Sequence, residues 1–204
     1  MKVFFDTEFT GLHQNTKLIS IGLVSEDNQT FYAENCSFQD GFIGKDDSEW
    51  ASKNILPHLK FYGKNTRAYN NSMIDTCPNG ASEVFGEDFL IRDCLSDWLS
   101  RFKSVELWSD CLAYDFVLFN QLWGHAFKIP SNVYYIPFDI CTMFKLLEID
   151  PGINREEFAG MLCGAEKHNA LWDARVIMAC YLRMERVWEE LPLAYYNRSI
   201  KKEK

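Results

Sequence analysis

Residues 2–25, KVFFDTEFTGLHQNTKLISIGLVS, contain two apolar runs separated by a turn-prone stretch. Lys2 to Glu8 and Lys17 to Ser25 both have the length of a strand, and the second run is apolar at nearly every position. Gly11 to Thr16, which lies between them, is rich in turn-forming residues. A third strand is predicted at Gln29 to Glu34, after another short turn. The segment therefore predicts an antiparallel meander of three strands.

The rest of the chain alternates between helical and extended patterns. Apolar residues at helical spacing predict helices, and short apolar runs predict strands. The helices are expected at Ser82 to Lys103, Ala113 to Ala126 and Asn169 to about Trp188, and the strands at Val105 to Trp108 and Val133 to Phe138. Residues 36–80 are irregular, with one short helix around Glu49 to Leu59. The sequence thus predicts one α/β domain over residues 1–204, with a mixed β-sheet flanked by helices and an irregular insertion at about 36–80.

Composition and charge limit the kinds of function. With 204 residues and 47% hydrophobic content, the chain can bury the core of one domain. Its formal charge of −8 disfavours a protein that binds long nucleic acids, because such binding depends on Lys and Arg neutralising phosphates. A carboxylate cluster loaded with divalent cations can still attract a phosphate locally. An acidic net charge combined with a local cation site favours an enzyme that acts on the ends of nucleic acids or on short pieces.

The cysteines and the N-terminus indicate a cytoplasmic protein that does not bind membranes. The seven cysteines include no C-x-x-C pair, and we expect buried, reduced thiols. Carboxylates at Asp6 and Glu8 interrupt the start of the chain before the apolar part of a signal peptide could form. No later apolar run approaches the length needed to span a membrane.

Four carboxylates and one histidine are candidates for chemistry. Asp6 and Glu8 are two residues apart on a predicted strand, so both project from one face, where divalent cations could compensate their repulsion. Taken alone, the pair favours the simpler interpretation that the strand has reached its solvated end. Asp115 follows a predicted strand and lies among apolar residues, unlike a routine surface charge. Asp110 is its rival in this segment, but its position also suits an ordinary capping aspartate.

The third candidate segment is His168-Asn169-Ala170-Leu171-Trp172-Asp173. Asn169 is the predicted N-cap, which places His168 on the preceding loop and Asp173 in the first turns of the last helix. A neutral imidazole near a metal-bound water could take its proton. Without the other segments, a histidine and an aspartate at this spacing could be coincidental.

Together, the segments resemble the DEDD superfamily of 3′–5′ exonucleases in its histidine form. Asp6-Thr7-Glu8-Phe9-Thr10-Gly11-Leu12 is similar to its first motif, Tyr114-Asp115-Phe116-Val117-Leu118 to its second, and the His168 to Asp173 segment to its third. The motifs occur in the family's order, and the resemblance implies a ribonuclease H-like fold. A weaker resemblance, from Glu49 to Leu59, is to a bacterial and phage group of exoribonucleases.

The resemblance implies a site and a reaction. Asp6, Glu8, Asp115 and Asp173 would hold two Mg²⁺ or Mn²⁺ ions, and His168 would be the general base. Leu12 would wedge between the last two bases, unless it is ordinary core, and the backbone of Phe9, Thr10 and Gly11 would hold the terminal nucleotide. His13 has no role in the family pattern and is expected on a surface turn.

The expected activity is 3′–5′ exoribonuclease action on single-stranded RNA or RNA overhangs, by a homodimer. The first motif is shared with proofreading deoxyribonucleases, so a 3′–5′ exodeoxyribonuclease with DNA as substrate stays open. A non-catalytic nucleic-acid-binding module is a further alternative, although the complete set of carboxylates and the histidine argues against it.

Overall fold

The computed structural model describes residues 1–63, 74–76, 82–164 and 166–190. The described residues form one seven-stranded sheet, in the order β4-β5-β3-β2-β1-β6-β7, with helices on both faces. Its strands are β1 Lys2–Phe9, β2 Leu18–Ser25, β3 Thr30–Asn35, β4 Ile74–Thr76, β5 Ser82–Gly86, β6 Glu106–Ser109 and β7 Phe138–Asp139. The helices are α1 Lys45–Asn54, α2 Asp88–Leu99, α3 Ala113–Leu122, α4 Ile140–Leu146, α5 Arg155–Ala159 and α6 Ala170–Glu190.

The predicted meander is confirmed. β1 pairs antiparallel with β2, and β2 pairs antiparallel with β3. The second turn is closed by a hydrogen bond from the Ser25 N–H to the Gln29 carbonyl (2.9 Å), with Asn28 in the left-handed region that asparagine tolerates. On its other side β1 pairs in parallel with β6, and β6 pairs in parallel with β7. The mixed α/β sheet expected from the sequence is therefore the architecture of the protein.

Alternation along β1 divides the core into two layers. Val3 and Phe5 face a cluster built with α2 and α3, whereas Phe4 faces a cluster built with α4 and α6. Because side chains alternate between the faces of a strand, Asp6 and Glu8 continue the face of Phe4 and lie on the α6 side of the sheet. One face of β1 thus carries a core residue at Phe4 and candidate site residues at Asp6 and Glu8.

Two of the predicted elements were wrong in part. Residues 82–86 form β5, which pairs in parallel with β3, and the helix begins only at Asp88. Val84 is fully buried in this sheet, so tertiary pairing overrides the helical spacing. The predicted strand Val133 to Phe138 is reduced to one bridge at Val133 and the two residues of β7. Pro137 within it has no N–H to donate to a ladder.

The segment expected to be an insertion has its own small core. α1 is followed by a 3-10 turn at Leu56–His58, and both pack through a cluster beneath β2 that comprises Ile19, Phe38, Ala51, Ile55 and Leu59. Buried Glu34 on β3 accepts the backbone N–H groups of Lys60, Phe61 and Tyr62 at 2.5 to 3.1 Å, which fixes the segment to the sheet. Residues 64–73 and 77–81 of the expected insertion lie outside the described residues.

Two further expectations concern membranes and thiols. Among the described residues, none of the helices combines the length and the apolar character needed to cross a membrane. The six described cysteines are free thiols, but only Cys180 is buried. Cys111 and Cys163 are exposed, so the expectation of buried thiols was wrong for them.

Candidate active site

A cavity of about 830 Å³ lies where β1 runs past the end of β6. All five residues proposed for chemistry line it: Asp6, Glu8, Asp115, His168 and Asp173. They come from a strand, two helices and a loop that are far apart in the sequence. The fold therefore brings together the whole set that the sequence suggested.

Three of the carboxylates form a tight group. Carboxylate oxygens of Asp6, Glu8 and Asp173 lie within 4.8 Å of one another. Gly22, opposite Asp6 on β2, is what allows Asp173 to come so close. A Cβ at Gly22 would lie 2.2 Å from the backbone nitrogen of Leu171, so the first turn of α6 rests directly on the strand backbone. A glycine inside a strand is the signal of such close backbone approach, and the sequence analysis missed it.

The start of α6 is capped as predicted. Asn169 Oδ1 accepts the N–H groups of Leu171 and Trp172, both at 3.1 Å. Asp173, one turn into the helix, accepts the backbone N–H of His168 on Oδ2 at 3.0 Å. His168 has a φ of 68°, in the left-handed region. The carboxylate and the histidine are therefore fixed to each other through the backbone.

Asp115 approaches the three carboxylates from the edge of β1 that pairs with β6, which is the edge away from β2. β1 and β6 pair only as far as Phe4 and Trp108, so beyond that point the β1 backbone is free of this neighbour. Asp115 Oδ1 accepts the Thr7 N–H at 3.0 Å and the Thr7 hydroxyl at 2.6 Å. Its other oxygen is not used by Thr7. Asp115 is thus anchored at one oxygen while lining the same cavity as the other three carboxylates.

Burial and mutual repulsion make the ionised forms of these carboxylates costly. Burial, followed by the charges of Asp115, Asp173 and Glu8, raises the pKa of Asp6 well above its ordinary value. Burial also raises the pKa of Glu8 strongly, that of Asp115 to about 6, and that of Asp173 to about 7. Bound cations would relieve this cost, and hard oxygen donors are the ligands that Mg²⁺ and Mn²⁺ prefer. The donor set therefore fits divalent cations.

His168 lies at the rim of the carboxylate group. Its Nδ1 is 3.8 Å from Glu8 Oε1, and its side chain is 30% exposed. The ring of Trp50 packs edge-to-face against the imidazole, with centroids 5.3 Å apart. Burial, and then the nearby charges of Lys167 and His58, lower the pKa of His168 below its ordinary value. The neutral imidazole, which can accept a proton, is the favoured form near pH 7.

Asp110 is neither a helix cap nor a member of the carboxylate group. Its two oxygens accept the Nε and Nη2 donors of Arg155 at 2.7 and 2.9 Å. The capping interpretation was wrong because its two oxygens are taken by this ion pair, and α3 begins without a side-chain cap. Arg155 was not singled out from the sequence, since α5 has only five residues and gives no periodic signal.

Glu156, next to Arg155 in sequence, is a buried carboxylate that sequence analysis also missed. It accepts the indole N–H of Trp172 at 2.9 Å and the backbone N–H of Gly164 at 2.6 Å. It also lines the cavity. Its hydrogen bonds join the loop before His168 to the first turn of α6.

The residues suggested for substrate binding divide into two pairs. Phe9 and Leu12 line the cavity. Phe9 stacks on Tyr114, with ring centroids 5.3 Å apart and an angle of 20° between the rings. Leu12 is 78% exposed, so the alternative that it belongs to the core is wrong.

Thr10 and Gly11 do not line the cavity, and their N–H groups are used within the protein. The Thr10 N–H donates to the Lys17 carbonyl at 3.0 Å, and the Gly11 N–H donates to the Thr16 hydroxyl at 3.2 Å. His13 lies on the predicted turn, where its carbonyl accepts the Thr16 N–H at 3.1 Å, but its side chain is only 19% exposed, so the expectation of a surface side chain was wrong. These contacts hold the conformation of the loop that follows Phe9 and carries Leu12.

Comparison with known proteins identifies relatives of this chain. Two curated relatives, both named 3′-5′ exoribonuclease, come from Mycobacterium tuberculosis strains ATCC 25618 / H37Rv and CDC 1551 / Oshkosh. Each is 32% identical over 135 residues, which is 65% of this chain and 67% of the relative. The catalytic unit of Neurospora crassa Pan2, comprising protease and nuclease domains, aligns with 100% of this chain and 30% of its own, at 14% identity and a TM-score of 0.45.

A family model covers more of the chain than the two relatives do. The model described as the 3′-5′ exoribonuclease Rv2179c-like domain matches residues 1–184, which include every proposed site residue. This match and the two relatives confirm the resemblance to 3′–5′ exonucleases. The chain therefore belongs to the 3′-5′ exoribonuclease Rv2179c-like domain family.

Proposed function

We propose that the chain is a divalent-metal-dependent 3′–5′ exoribonuclease that hydrolyses phosphodiester bonds from the 3′ end of single-stranded RNA or RNA overhangs. The observation that carries this proposal is the convergence of Asp6, Glu8 and Asp173 in one cavity with Asp115 and His168. Family membership and the names of the two relatives support RNA as the substrate.

The carboxylates would divide between two ions. Asp6, Glu8 and Asp173 are close enough to share one cation, and Asp6 also faces Asp115, whose charge raises its pKa. Asp6 is thus the candidate bridging ligand. Asp115 keeps one oxygen on Thr7 and offers the other to the cavity. Two bound Mg²⁺ or Mn²⁺ ions would supply an activated water and charge stabilisation of the leaving 3′ oxygen.

His168 would be the general base. Its Nδ1 faces the carboxylate group and can take a proton from the attacking water. The lowered pKa keeps the imidazole neutral before the reaction. Asp173 holds the backbone of His168, so the base keeps its place relative to the ligands.

Phe9 and Leu12 would contact the terminal bases. Leu12 projects into solvent at the mouth of the cavity, where an apolar side chain can insert between bases. Phe9, stacked on Tyr114, gives that mouth an aromatic wall. Thr10 and Gly11 would act by holding the loop in shape.

We further propose a homodimeric, cytoplasmic enzyme. Phe127, Tyr134 and Tyr135 expose 87%, 45% and 63% of their surface, and exposed aromatic groups of this kind are enriched at protein interfaces. The free thiols suit a reducing compartment. Light scattering of the purified chain would test the dimer.

The decisive experiment is a time course on matched 5′-labelled RNA and DNA oligonucleotides with Mg²⁺, Mn²⁺ or EDTA. We expect stepwise shortening of RNA from the 3′ end with either metal and none with EDTA. Asp6→Ala is the matched control and should be inactive. Faster digestion of DNA would support the deoxyribonuclease alternative, and no digestion of either would support a binding module.

A further inference from the structure

Two cysteines lie against each other at the edge of the candidate active site. Cys111 follows β6 and Cys141 follows β7, each two residues beyond the paired positions Ser109 and Asp139. Their sulfur atoms are 3.7 Å apart. Cys141 also donates its S–H to Asp110 Oδ1 at 2.9 Å, next to Cys111 in sequence. The loop after β6 and the start of α4 therefore bring these two thiols into contact.

The surroundings of the pair favour a dithiol over a metal site. Asp110 could complete a group of three ligands with the two cysteines. However, both Asp110 oxygens already bind the Arg155 guanidinium, which also donates to Cys141 Sγ at 3.2 Å. A permanent cation from the protein thus occupies the place that a metal ion would need. Cys111 is exposed and lines the cavity, so reagents in solution can reach it.

We propose that Cys111 and Cys141 form a disulfide under mild oxidation and that this bond lowers the nuclease activity. The consequence for activity rests on the proposed function, whereas the bond itself does not. The oxidant is a low-molecular-weight disulfide such as oxidised glutathione. Cys111 attacks one reagent sulfur, the reagent S–S bond breaks, and one reagent thiol leaves.

Cys141 then attacks the Cys111 sulfur and releases the second reagent thiol, which takes up the remaining proton. Two protein thiols and one reagent disulfide become one protein disulfide and two reagent thiols. The protein loses two electrons, and the reagent gains them. The sulfur atoms must approach by about 1.7 Å from their present 3.7 Å to reach the 2.0 Å of an S–S bond.

That approach would affect a proposed metal ligand. Cys111 lies four residues before Asp115, and the Ala113 N–H, at the start of α3, donates to the Cys111 carbonyl at 2.7 Å. Closing the bond pulls this loop toward α4. Because Asp115 follows the loop, its carboxylate is drawn away from its two hydrogen bonds with Thr7. Displacements of about 1 Å in a catalytic group can lower a rate by about a hundredfold. We expect at least a tenfold loss.

The test compares the full-length chain before and after exposure to oxidised glutathione. Peptide mapping without reduction identifies the Cys111–Cys141 bond, the RNA assay measures the rate, and the Mn²⁺-induced rise in melting temperature reports on the metal ligands. Cys141→Ser, which removes the partner thiol outside the cavity lining, should keep its reduced-state rate within twofold and should not lose activity with oxidised glutathione. Cys163→Ser, which removes another exposed thiol, should respond like the wild type.

We expect the bond to form in the wild type, the rate to fall at least tenfold, the Mn²⁺ response to shrink, and dithiothreitol to restore both. The proposal is overturned if the bond is absent while other thiols react, or if it forms without changing the rate and the Mn²⁺ response. If the reduced chain digests neither RNA nor DNA, the proposed function fails, and the peptide map and Mn²⁺ response still decide on the disulfide.

Discussion

Replacing Asp173 by asparagine should inactivate the enzyme and yet stabilise the metal-free protein. Asparagine keeps the oxygen that accepts the His168 N–H but removes the charge. The pKa of Asp173 is raised from an ordinary 3.8 to about 7. The folded protein holds this proton more tightly than the unfolded chain does. The stability contributed by protonated Asp173 is therefore complete below pH 3.8 and is lost as the pH rises toward 7.

The size of the effect follows from this shift. A difference of about 3 pH units corresponds to an upper limit of about 4 kcal/mol at 1.36 kcal/mol per unit. Water in the open cavity screens the charge, so we expect the variant to gain about 2 kcal/mol at pH 8. For a chain of this size, that is a rise in melting temperature of about 4 to 8 °C. At pH 4, where Asp173 is nearly fully protonated, the gain should vanish.

Urea unfolding in EDTA at pH 4 and pH 8 measures the difference directly. Asp97→Asn, which changes an exposed aspartate on α2 at the other face of the sheet, is the matched control and should not change stability. With Mn²⁺ present, the order should reverse, because the wild type gains stability from bound metal that the variant cannot match. A variant that is equally or less stable than the wild type at pH 8 in EDTA would refute the reasoning.

Three other substitutions separate the roles of neighbouring residues. His168→Ala should lower kcat by about 10² to 10⁴-fold and leave the Mn²⁺-induced rise in melting temperature unchanged. If the variant also loses that rise, His168 is a metal ligand and not a base. Leu12→Ala should raise KM for short RNA without lowering the melting temperature, because the side chain is 78% exposed; destabilisation by several degrees would contradict its assignment to substrate. Asp110→Ala should keep most activity but lower the free energy of unfolding by about 1 to 3 kcal/mol, since Arg155 loses its two hydrogen bonds to this carboxylate. Inactivity in a folded variant would make Asp110 a ligand.

Local chemistry made much of the site predictable. The spacing of Asp6 and Glu8 sets their common face through the period of a strand, and Asn169 signals a helix start that places Asp173. Contacts between distant segments were not predictable. Residues 82–86 become a strand only because β3 is available as a partner, and Asp110 binds a residue 45 positions further along the chain.

The contact of α6 with Gly22 has a consequence for protein engineering. A designer who grafts only the carboxylates of this site onto another sheet would keep the ligands but lose their spacing, because any side chain at the equivalent of Gly22 collides with the helix backbone. In a screen for loss of function, substitutions of Gly22 should therefore behave like substitutions of a ligand, although glycine offers no atom to a metal. The minimal portable unit is the strand pair of β1 and β2, together with the first turn of α6 that lies on it.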